Sequence, residues 1–83
     1  MGAGGWTDWT DDLVDVLIAM ELAEGDVFFL SRVYLFKGLL GKIHPANNHV
    51  ESKIRQQLQV LRDFGVIEFQ EERGKYVLIR LPI

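Results

Sequence analysis

HPANNHVESKIRQQLQVLRDFG, residues 44–65, limits the possible folds more than any other part of this chain. Pro45 lacks an N–H and its ring clashes with a preceding helical turn, so no helix runs through it. Asn47 and Asn48 are both suited to an N-cap, and a helix is expected to begin at one of them. Gly65 can adopt the left-handed conformation that closes it. At about 100° per residue, Val50, Ile54, Leu58, Leu61 and Phe64 fall on one side. The opposite side collects Asn48, His49, Ser52, Gln56, Gln59 and Asp63, with Lys53 and Arg55 on the flanks. Such a helix buries one face in a small domain and offers amides, hydroxyls and bases on the other.

The remaining segments supply that domain. Trp9-Thr10-Asp11-Asp12 offers caps and acids for a first helix, in which Leu13, Val16, Leu17 and Met20 recur at helical spacing. It is expected to end near Ala23, because Glu24-Gly25-Asp26 is a turn cluster. Val27 to Leu30 reads as one short strand. Ser31 is a good cap for a second helix with Val33, Phe36, Leu40 and Ile43 inward, loosened at Gly41 and stopped by Pro45. After Gly65, Val66–Phe69 and Tyr76–Ile79 are β runs around the polar loop Gln70–Lys75. Trp9 is expected to pack over the core; Tyr34, Lys37 and Lys42 sit where they can touch the backbone of a bound nucleic acid, and Tyr34 suits the core equally. The order of helix, strand, helix, helix, strand, loop and strand is that of an α+β winged helix-turn-helix: three helices, a small antiparallel sheet and a β-hairpin wing. Residues 1–5, MGAGG, read as a flexible leader or expression scar, possible in a domain cut from a longer protein, and 6–83 as the domain itself.

Charge and composition narrow the function. Residues 1–26 hold seven of the twelve acids and no Lys or Arg; residues 27–83 hold all nine bases against five acids. An acidic chain of net charge −3 can therefore still present a basic end to a polyanion. There is no cysteine, which excludes disulfides and thiolate metal sites. No apolar run approaches the ~20 residues of a membrane span, and no signal-like amino terminus is visible.

The third helix carries the functional argument. Amides pair bidentately with adenine, Arg with guanine, and hydroxyls with either. The first two turns of such a helix reach base edges, which favours Asn47, Asn48, His49, Ser52, Lys53, Arg55 and Gln56 over Gln59 and Arg62. Arg73 and Lys75 in the loop are placed for phosphates or the minor groove, although Glu71 and Glu72 beside them oppose it. Catalytic patterns are weak by comparison. His44 and His49 bracket two asparagines without a zinc-ligand set. Glu51-Ser52-Lys53 fits the Glu-x-Lys pattern of metal nucleases but lies at a helix start, where Glu51 suits the dipole. No catalytic residue, metal ligand or cofactor is expected.

The string HPANNHVESKIRQQLQVLRDFGVIEF resembles the carboxy-terminal winged-helix domain of DpnI-type (Dam-replacing) restriction endonucleases. In that family an HP-x-N-N-H-V turn leads into K-I-R-Q-Q-L-Q-x-L-R-D, and Gly74-Lys75-Tyr76 matches the return of the wing. Trp9-Thr10 and the step from Phe29-Leu30 to Val33-Tyr34 match earlier landmarks, so the resemblance covers about residues 9–78. It implies a reader of N6-methyladenine in GATC sites, acting on bacterial cytoplasmic DNA beside a nuclease domain in cis or in trans. The acidic first helix and Glu71-Glu72 have no counterpart in the pattern.

Reading such a methyl requires an apolar or flat contact plus an acceptor for the remaining N6–H. Pro45, Ala46 and the ring of His49 are candidates for the first, and Asn47, Asn48 and Gln56 for the second. A winged-helix protein-interaction domain and a methylation-independent DNA-binding domain are the alternative readings.

Overall fold

The computed structural model describes residues 4–82. Helix α1 (Asp8–Ala19) leads to strand β1 (Val27–Phe29), then to a second helix in three pieces: α2 (Leu30–Val33), a 3₁₀ turn (Tyr34–Phe36) and α3 (Lys37–Ile43). Helix α4 (Val50–Asp63) follows, and β2 (Ile67–Phe69) and β3 (Lys75–Leu78) close the chain. The sheet order is β1-β3-β2, antiparallel throughout, with Phe28 opposite Tyr76 and Tyr76 opposite Phe69. This is the α+β winged helix-turn-helix anticipated above. The first three residues of the expected leader lie outside the described residues; Gly4 and Gly5 are exposed.

The core lies where α1, α4 and the sheet meet. Leu13 and Leu17 of α1, Leu40 of α3, Ile54 and Leu61 of α4 and Leu78 of β3 are completely buried, and Trp9 packs over them as anticipated. Burial of that kind stabilises by about 25 cal/mol for each Å² of apolar surface, and it explains why the apolar spacing of α1 and α4 was readable. Gly65 has φ 76°. The Val66 N–H bonds back to Leu61 O at 2.9 Å and the Gly65 N–H to Arg62 O at 3.0 Å, a Schellman closure that turns α4 directly into β2.

Several boundaries differ from the expectation. Helix α1 starts one turn earlier, because Thr7 is its N-cap and exchanges a capping box with Thr10. It stops at Ala19 and not near Ala23: Met20 is the C-cap and Glu21 turns left-handed at φ 58°. The strand ends at Phe29, and α2 opens at Leu30 with no side-chain cap from Ser31. The second helix is interrupted, and Ile43 is 49% exposed where an inward position was expected. Helix α4 begins at Val50, not at either asparagine. The Asn47 side chain is committed elsewhere, accepting the His49 N–H at 2.8 Å. Phe64 lies at the end of the apolar stripe but is 46% exposed, edge-on to Trp6 at 5.3 Å.

Candidate nucleic-acid interface

Four polar contacts fix how α4 is presented. On its inner side the Thr10 hydroxyl donates to Gln57 Oε1 at 2.5 Å, both residues being buried. At its entrance His44 reaches across to α1, with Nε2 2.5 Å from Asp12 Oδ2 and its ring stacked on Trp9 at 4.4 Å. The turn before α4 is therefore anchored by one apolar and one polar contact to the same helix. Along its flank, Lys37 Nζ meets Glu51 Oε2 at 2.8 Å and Arg55 Nη1 donates to the Tyr34 hydroxyl at 2.6 Å. Tyr34 and Lys37 are three apart and Glu51 and Arg55 four apart, so matching helical faces meet. The hydrogen bond and then the charge of Glu51 raise the Lys37 pKa above its ordinary value.

The exposed side of α4 gathers most of the residues expected there. Asn47, His49, Ser52, Lys53, Arg55 and Gln56, together with Gln59, line one open depression. Asn48 lies in the neighbouring one, with Lys37, His49, Glu51 and Ser52. Pro45 and Ala46 line a third, beside Trp9, His44, Asn47 and Lys53. The three candidates for a methyl contact are divided between two depressions that share Asn47 and Lys53: Pro45 and Ala46 line one and His49 the other. No side chain caps the start of α4, which leaves its first N–H groups available to an anion. Gln59, placed second on grounds of depth along the helix, lines the same depression as the first two turns.

The wing is the β2–β3 hairpin. Its tip is tied by the Gln70 N–H to Lys75 O at 3.0 Å and by the Leu30 N–H to Gly74 O at 2.8 Å, so it is joined to the start of the second helix. Gly74 has φ 75°, a conformation that suits glycine there. Arg73 is exposed, whereas Lys75 is half-buried in a depression with Gln70, Glu71 and Glu72. The two acids offset the two bases, so the loop carries no net charge.

A helix-turn-helix whose second helix presents an uncovered polar face, followed by a hairpin, invites comparison with known domains. The model of the Dam-replacing HTH domain, DpnI_C, matches residues 7–77. The chain belongs to that family. This Dam-replacing HTH domain is a DNA-binding module acting on double-stranded DNA. Glu51-Ser52-Lys53, the weak nuclease pattern, lies on α4 with Glu51 paired to Lys37. Among the described residues no group of three or more His, Asp and Glu could hold a metal ion, and no helix is long and apolar enough to cross a membrane.

The role of two residues was not legible beforehand. Gln57 is an amide on an otherwise polar-faced helix, and only its distant partner Thr10 explains its burial. Tyr34 had two readings, backbone contact or core; it packs against the core, and its hydroxyl also accepts from Arg55, which neither reading gave. The three-residue spacing of Tyr34 and Lys37 was the available signal.

Proposed function

We propose that this domain reads N6-methyladenine in a GATC-type site, as the specificity module of a modification-dependent restriction endonuclease whose nuclease domain acts in cis or in trans on bacterial cytoplasmic DNA. One observation carries the reading: six residues singled out on base-reading chemistry line a single open depression at the start of α4. Membership of the Dam-replacing family supports it. Asn47, Asn48, His49, Ser52, Lys53, Arg55 and Gln56 are the proposed contacts on the major-groove side, with Arg73 and Lys75 on backbone phosphates. The split arrangement of Pro45-Ala46 and His49 suits two separate apolar contacts, as a palindrome methylated on both strands would require. Each buried methyl is worth roughly 1 kcal/mol, or about fivefold in affinity. Residues 6–83 are the proposed domain.

Fluorescence anisotropy on GATC duplexes bearing zero, one or two methyl groups, at several salt concentrations, tests the proposal. Affinity is expected to rise about fivefold per methyl, and a flat response refutes methyl reading. Asn48→Ala reduces discrimination between sites. Lys75→Ala weakens all duplexes alike and lessens the salt slope by about one phosphate contact.

A further inference from the structure

Arg55 is not a free arm on the surface of α4. Its Nη1 donates to the Tyr34 hydroxyl at 2.6 Å and its Nη2 to Ser52 Oγ at 3.1 Å. Bonds to both terminal nitrogens fix the place and the rotation of the guanidinium plane. Arg55 is nevertheless solvent-exposed, and ordering a long exposed side chain brings little stability in return. Among the described residues, the remaining N–H groups on Nη1, Nη2 and Nε have no hydrogen-bond partner. A contact to a single phosphate oxygen would not need such restraint, since a point charge such as Lys53 serves it. A bidentate contact does need it, because both N–H groups must meet their acceptors together.

We propose that Arg55 reads a guanine through its O6 and N7, and that Tyr34 is the positioning residue that holds the fork for that contact. The proposal rests on the DNA-reading function given above. It uses a residue of the second helix that no base-reading argument selects, and it assigns the interrupted course of that helix a use: Tyr34 stands on the 3₁₀ turn between α2 and α3.

The test is anisotropy on a doubly methylated GATC duplex with each guanine replaced in turn by 7-deazaguanine, which lacks the N7 acceptor but keeps its pairing. The intact domain is expected to lose about fivefold in affinity at one guanine. Arg55→Lys makes binding indifferent to that replacement. Tyr34→Phe shrinks the penalty to about twofold or less, and adds nothing in the Arg55→Lys background, a dependence that a purely structural tyrosine would not show. Ser52→Ala, which releases the other arm, shifts the penalty in the same direction and serves if Tyr34→Phe does not fold. Should the domain prefer methylated duplexes while no guanine shows a penalty that Arg55→Lys and Tyr34→Phe diminish, this inference fails and methyl reading stands. If no duplex binds at low salt, both fall.

Discussion

Replacing Thr10 by Val tests how firmly α1 holds the DNA-facing helix. The Thr10 hydroxyl donates to Gln57 Oε1 and accepts the Thr7 N–H at 3.0 Å, so one group serves both the α1–α4 contact and the α1 cap. Valine conserves the shape and removes both bonds. Leaving the buried Gln57 acceptor unpaired costs about 1–3 kcal/mol, and loss of the capping contact adds about 1 kcal/mol. The expected destabilisation is therefore roughly 2–4 kcal/mol, or at least about 8 °C in Tm for a domain of this size. Gln57→Leu strands only the hydroxyl hydrogen and is expected to cost about 1–2 kcal/mol. The double variant removes both partners, so its cost should fall short of the sum by about 1–2 kcal/mol. Urea unfolding of the four proteins, followed by circular dichroism, provides the cycle. Additivity within about 0.5 kcal/mol would refute the claim that this bond joins the two helices.

Two further outcomes are expected. Gly65→Ala forces a Cβ onto a residue at φ 76° and should cost about 1 kcal/mol in urea unfolding, whereas Gly38→Ala, in α3 with open space around its Cβ position, should be neutral or slightly stabilising. Burial, and secondarily Tyr34, raises the Tyr76 pKa above its ordinary 10.0. The unfolded chain then ionises first, so this contribution is present below about pH 10 and is lost as pH rises through the higher folded value; Lys37, also raised, acts in the same direction. Thermal unfolding from pH 9 to 11 should show a falling Tm, less steep for Tyr76→Phe; an identical slope would remove Tyr76 as the cause.

The amino-acid order by itself determined the sequence of elements, the buried stripe Ile54, Leu58 and Leu61, the closure at Gly65 and the polar character of the opposite face. Each of these follows from periodicity or from the conformational range of one residue, which neighbours in the chain suffice to define. Family membership was equally legible, since HPANNHVESKIRQQLQVLRDFG is long and continuous.

Tertiary structure decided the rest. Asn47 caps nothing on α4 because its side chain closes a local turn onto His49, and the interruption of the second helix has no proline or glycine pair to announce it. Gln57 finds its partner 47 residues away, Asp12 meets His44 across 32, and Arg55 is oriented by Tyr34 across 21. A hydrogen bond between distant residues exists only once apolar packing has brought their helices together. Local sequence therefore specifies which face α4 exposes, while the packed domain specifies how each donor on that face is aimed.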